Sequence, residues 1–139
     1  MARTFSASVD AFVRKSKRRT TAVFRESVQR LGEEAQTLRV EGGNMPYDTG
    51  FLRASYMVSL DGVPFGDGVN PDRKGQYPYN PAPIELVIAT AQYGDVLWGG
   101  WVAVYAKYME HRYGYLRSAV QNWQSIVDGV VTEMKVRFP

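Results

Sequence analysis

Residues 84–106, IELVIATAQYGDVLWGGWVAVYA, decide how the chain is folded, because apolar side chains run almost unbroken through them. A short β-branched run with prolines before it and a turn after it reads as a strand. Ile84–Thr90 therefore predicts one strand, QYGD at 92–95 a turn, and Val96–Ala106 a second strand with a bulge or bend at Gly99-Gly100. Upstream, ASYMVSL (Ala54–Leu60) is β-rich enough to supply a third. Outside these, the periodicity changes from that of a strand to that of a helix.

From Ser8 to about Arg39 there is no proline, and Val9, Phe12, Val13, Val23, Phe24, Val28, Leu31, Ala35 and Leu38 recur at helical spacing. The polar middle, Arg14–Thr20, interrupts this stripe, so that part is expected to project from the core or to meet a partner. At the other end, residues 115–136 place Leu116, Ala119, Val120, Trp123, Ile126, Val127, Val130 and Met134 on one helical face. The expected fold class is α+β: a small antiparallel sheet of three to four strands packed against a long N-terminal helix and a C-terminal helix. A single domain over 1–139 is expected, with no internal repeat.

Residues 61–83, DGVPFGDGVNPDRKGQYPYNPAP, hold four glycines and five prolines and can form neither helix nor central strand. A connection this long is usually functional or disordered. Phe65, Tyr77 and Tyr79 give it apolar handles, which favours a docking loop that orders on assembly over a mobile extension.

The composition, 45% hydrophobic and 22% charged, is that of an ordinary globular protein. Zero cysteines exclude a disulfide framework and a thiolate metal site and agree with a reducing compartment. The expectation is a protein neither exported by signal peptide nor membrane-spanning, since there is no early apolar run and no stretch of 18 apolar residues. Net charge is only +3, but residues 1–30 carry eight basic side chains against Asp10 and Glu26. Arg14, Lys15, Lys17, Arg18 and Arg19 are the candidate contacts to DNA or an acidic partner, the alternative being a solvated helix face.

Catalytic signatures are scarce. The sole histidine, His111, has no second histidine or cysteine with which to build a zinc site, and phosphate-binding and nucleophile-elbow motifs are missing. No cofactor or metal is expected. The exception to weigh is Asp48-Thr49-Gly50, the triplet that carries the reactive carboxylate in aspartic proteases. Two such carboxylates must face each other and share a proton, so a chain with one copy would have to dimerise around it. The simpler account makes Asp48 the N-cap of a short helical turn with Thr49 and Gly50, Leu52 buried, and Arg53 facing solvent or a partner.

Taken together, Met45-Pro46-Tyr47-Asp48-Thr49-Gly50-Phe51-Leu52-Arg53-Ala54-Ser55 resembles the P-x-D-T-G-x-L-R-x-S signature of the neck, or tail-completion, proteins of long-tailed bacteriophages. Val104–Glu110 resembles the Y-A-x-Y-x-E segment of the same family, and Gly114–Trp123 its closing G-[FY]-[LV]-R-x-A helix start. The three blocks occur in the family's order. The chain departs from the family after Glu110, which runs almost directly into His111-Arg112-Tyr113-Gly114 where many relatives have a Gly-Thr-rich loop and a proline.

The resemblance implies a non-enzymatic virion component, made in the host cytoplasm and placed where the DNA-filled head meets the tail. It implies a homo-oligomeric ring, hexameric by the family pattern, between the head connector and the tail-tube proteins, with non-specific contact to packaged DNA open and no membrane. A DNA-binding module without sequence preference and a tail-assembly chaperone are the alternatives. Interface anchors are expected among Arg53, Phe65, Tyr77, Tyr79, Trp98, Trp101, Tyr108 and Glu110, since aromatic residues and arginine favour such contacts. About half of the aromatics between Trp98 and Tyr115 are expected in the core.

Overall fold

The computed structural model describes residues 4–137. The chain opens with α1, Phe5–Ala35, a helix of 31 residues. Thr4 starts it, its Oγ1 accepting the Ala7 N–H at 3.1 Å and so satisfying one of the unpaired donors of the first turn. Only the second half of α1 is supported. Its buried residues are Ser27, Gly32 and Ala35, whereas Phe5, Val9, Phe12 and Val13 are exposed. The stripe thus divides at the polar segment 14–20, where its interruption was expected, into an arm exposed along Phe5–Val13 and a packed half.

After α1 a 3-10 turn, Arg39–Glu41, loops the chain round so that Leu38 and Met45 pair in parallel. Met45 N–H donates to Thr37 O at 3.1 Å and Arg39 N–H to Met45 O at 3.0 Å, which draws Met45 into the core at 0% exposure. Next come α2 (Phe51–Ala54) and β1 (Tyr56–Ser59), then residues 60–81 without helix or strand. The remaining elements are α3 (Ala82–Thr90), β2 (Trp98–Trp101), α4 (Ala106–Tyr113), α5 (Tyr115–Gln121) and α6 (Trp123–Arg137).

The architecture is mixed helix and strand, but the sheet is smaller than expected. Among the described residues it has two antiparallel strands, registered Tyr56 to Trp101 through Ser59 to Trp98. Ile84–Thr90 is helix, not strand. Pro81 and Pro83 sit at the helix start, where the missing N–H costs nothing, and the Asn80 side chain accepts the Ala82 N–H at 3.1 Å. Once the segment is helical, Ile84 and Ile88, four apart, share one face and are both buried.

The predicted strand Val96–Ala106 keeps only its middle. Val102 N–H still reaches Ser55 O at 3.1 Å and Val104 N–H bonds Gly68 O at 2.8 Å, but by Ala106 the chain has become helical. The segment 107–114 contains most of a helix, α4, closed by Gly114 at φ +66°, a left-handed position that suits glycine. The single C-terminal helix is broken at Asn122 into α5 and α6.

Two apolar clusters hold these elements. One gathers Met45, Leu52, Ala103, Ala106 and Tyr115, and the other Tyr56, Val58, Ile84 and Ile88; Trp101 packs against both. Helix α6 runs back along α1, with Asn122 meeting Glu34 and Glu133 meeting Arg30. Helix α3 is tied to α1 by Arg25, whose Nε donates to Ala91 O at 2.8 Å and places a cation at the C-terminal end of α3.

Candidate functional site

Two regions bring together the residues singled out by sequence: the turn at 45–53 with the loop that lies on it, and the basic arm of α1. In the turn, Gly50 stands at φ +83°, and a Cβ there would fall 2.6 Å from the Tyr77 carbonyl oxygen and 2.8 Å from the Tyr47 ring. Only a glycine lets the loop approach this closely. Thr49, buried, uses its carbonyl to accept the Tyr77 N–H at 2.9 Å and its hydroxyl to accept the Phe51 N–H at 3.3 Å.

The cap is thus made by Thr49 and not by Asp48. Helix α2 begins at Phe51, with Gly50 in the capping position, so Asp48 lies one residue too early to reach the free N–H groups. Its carboxylate is exposed and takes no hydrogen bond among the described residues. Beside it is a hollow of about 260 Å3 lined by residues 46–52 with Tyr105, Met109 and Tyr113. Burial, and then the nearby Asp48 carboxylate, push the Tyr105 phenol above its ordinary pKa. Leu52 is in the core as expected, at 4% exposure.

Arg53 is turned inward. Its Nε donates to the Gln36 carbonyl at 2.9 Å, while the Gln36 side-chain amide donates back to Arg53 O at 2.8 Å. Gln36 Oε1 in turn accepts the Trp101 indole N–H at 2.9 Å. Gln36 is 2% exposed, so this buried amide satisfies two neighbours at once and knits α1, α2 and β2 together. Sequence reading passed over it. A polar residue directly after the Ala35 end of a long apolar stripe was the only available signal.

The anchors expected at an interface divide into two groups. Trp101 stacks on Tyr56 at 4.7 Å and meets Tyr115 edge-on at 4.8 Å, which is core packing. Tyr77 meets Phe51 edge-on at 5.2 Å, and Tyr79 lies under the Arg53 guanidinium at 5.0 Å, so these loop aromatics are docked on their own chain. Glu110 is also engaged internally: its carboxylate accepts the N–H groups of Leu116 at 2.8 Å and Arg117 at 2.9 Å, satisfying the start of α5. Phe65, Trp98 and Tyr108 remain exposed, Phe65 at 89%.

On the arm, Arg14, Lys15, Lys17, Arg18 and Arg19 form no ion pair among the described residues. Lys17 lies over the Tyr93 ring at 5.3 Å. Where the arm passes the C-terminal end of α6, a groove of about 620 Å3 opens, lined by Lys15, Arg18, Arg19, Ala22, Val23, Val131, Met134 and Lys135. Its floor is apolar and its rim cationic. Among the described residues no three histidine, aspartate or glutamate side chains come together as a metal site, and no helix is long and apolar enough to cross a membrane. No family model, no curated protein and no solved structure matches the chain.

Proposed function

We propose that the protein is a structural component of a phage head–tail junction, a neck or tail-completion subunit that works by binding its neighbours in a ring. The observation that carries this reading is where the three family-like blocks lie. Leu52 from the first, Ala106 from the second and Tyr115 from the third share one cluster, and Tyr115 Oη donates to Ala106 O at 3.1 Å. Glu110 of the second block caps the helix that opens in the third. Residues far apart in sequence that resemble one family's signature thus form one packed unit, which is what a shared framework requires.

On this reading the signature builds the body, and the parts that the body leaves bare, the α1 arm and the exposed Phe65, Trp98 and Tyr108, make the contacts. On this reading the Asp-Thr-Gly triplet is architecture: its threonine caps, its glycine admits the loop, and the sequence holds no second Asp-Thr-Gly to supply a partner carboxylate. Electron microscopy of particles assembled without the protein tests the role. Separate filled heads and finished tails are expected; normally joined particles would remove the proposal.

A second reading, DNA binding without sequence preference, is favoured by the arm's five basic side chains. It predicts duplex binding that falls steeply with salt and is weakened by Arg14→Glu with Arg18→Glu. A tail-assembly chaperone differs from both in being absent from purified particles.

A further inference from the structure

The α1–α6 groove has a floor of Ala22, Val23, Val131 and Met134 and no carboxylate among its lining residues. An occupant must therefore offer an apolar side chain flanked by negative charge. The arm of another molecule does not qualify, since it would set like charges against like. One segment of this chain has the required chemistry. In DGVPFGDGV, Asp61–Val69, the carboxylates of Asp61 and Asp67 flank Val63 and Phe65, and no lysine or arginine occurs between Asp61 and Asp72.

The structure holds this segment out as a bow. At one end it leaves β1, whose last residue Ser59 is paired with Trp98, and at the other Gly68 O accepts the Val104 N–H at 2.8 Å. A Cβ on Gly68 would fall 2.1 Å from the Val102 carbonyl, so the bow is seated hard against the chain leaving β2. Between these pins Val63 and Phe65 are 68% and 89% exposed. A segment fixed at both ends loses less conformational freedom on binding than a free loop.

We infer that the α1–α6 groove receives the Asp61–Val69 bow of a second copy of this chain, Phe65 on the apolar floor and Asp61 and Asp67 against the cationic rim. Such a contact joins two different surfaces, so copies add head to tail and either close into a ring or run on as a chain. Only the closure rests on the head–tail reading proposed above; the contact itself follows from the two surfaces.

Sedimentation velocity on the full chain tests it. The wild type should associate with rising concentration and dissociate with added salt. Phe65→Asp, which spoils the bow, and Arg18→Glu with Arg19→Glu, which spoils the rim, should each be monomeric at concentrations where the wild type associates, a weakening of at least about 10-fold. Both change exposed side chains, and circular dichroism should show the wild-type helical signal. Mixed one to one, the two variants retain one intact junction and should form a dimer and nothing larger. A wild type that stays monomeric at low salt, or variants whose mixture fails to dimerise, would overturn the inference. So would a rim variant that loses duplex binding but keeps self-association, since the groove would then serve nucleic acid. Presence in purified particles without a mixed dimer would sink this contact and leave the head–tail reading standing; a mixed dimer from a protein absent from particles would do the reverse.

Discussion

Replacing Gly50 by alanine tests whether the loop is held against the turn. The residue stands at φ +83°, where a Cβ costs about 1 kcal/mol in backbone conformation alone. The same Cβ would sit 2.6 Å from the Tyr77 carbonyl, a backbone atom that cannot swing aside. Relief requires the loop to move away from the turn, which breaks or stretches the 2.9 Å bond from Tyr77 N–H to Thr49 O, worth about 1 kcal/mol, and loosens the Phe51–Tyr77 contact. The sum is about 2–3 kcal/mol, or about 6–10 °C in Tm for a chain of this size. Gly94 supplies the control. Its φ is +90°, but a Cβ there meets nothing within 4 Å, so Gly94→Ala carries only the conformational cost of about 1 kcal/mol. Urea unfolding followed by tryptophan fluorescence and circular dichroism measures both, and amide exchange at Tyr77 reports the broken bond directly. Equal losses in the two variants would refute the docked loop, because then only backbone conformation would matter at Gly50.

Gln36→Ala should cost about 2–4 kcal/mol in chemical denaturation, since it leaves the Trp101 indole N–H and the Arg53 carbonyl without partners beside a new cavity. Combined with Trp101→Phe, its effect should be clearly less than additive, because both changes remove the same hydrogen bond. Glu110→Ala should destabilise by about 1–2 kcal/mol through loss of the two N–H contacts at the start of α5, read as earlier exchange of the Leu116 and Arg117 amides. Burial, aided by Tyr79, pushes the Tyr56 phenol up to about 12. A phenol whose folded pKa is raised contributes stability that is complete below the unfolded value near 10 and lost as pH rises towards 12. Alkaline unfolding should therefore steepen over that window and flatten in Tyr56→Phe.

The long helix α1, a strand within Ala54–Leu60, another within Val96–Ala106 and the burial of Leu52 were legible, because each rests on local pattern. What misled was a conflict between composition and position. Ile84–Thr90 has a strand's residues, but its helix is set by two prolines and Asn80 upstream, which look like loop punctuation until the first turn is seen to begin among them. Val96–Ala106 fails as one long strand for a tertiary reason: β1 offers only four residues of ladder, and the chain beyond is claimed by the loop at Gly68. At the candidate site, sequence identified the turn but chose the wrong cap, since helix start and left-handed Gly50 together shift the capping position past Asp48. The inward turn of Arg53 depends on Gln36, 17 residues earlier, and no local rule connects them.

The bare arm of α1 carries a consequence for assembly. Its outer turns, around Phe5, Val9 and Phe12, have no packed face, and short helices without one are marginal in water. The packed half of α1 can nucleate the arm, but each further turn outward is held by little more than its own hydrogen bonds. A surface covering Phe5, Val9 and Phe12 would therefore do more than add contact area: it would stabilise turns that the rest of the chain leaves bare. On the head–tail reading proposed above, a partner covering Phe5, Val9 and Phe12 would steady these turns, and hydrogen exchange along residues 5–20 should slow on assembly.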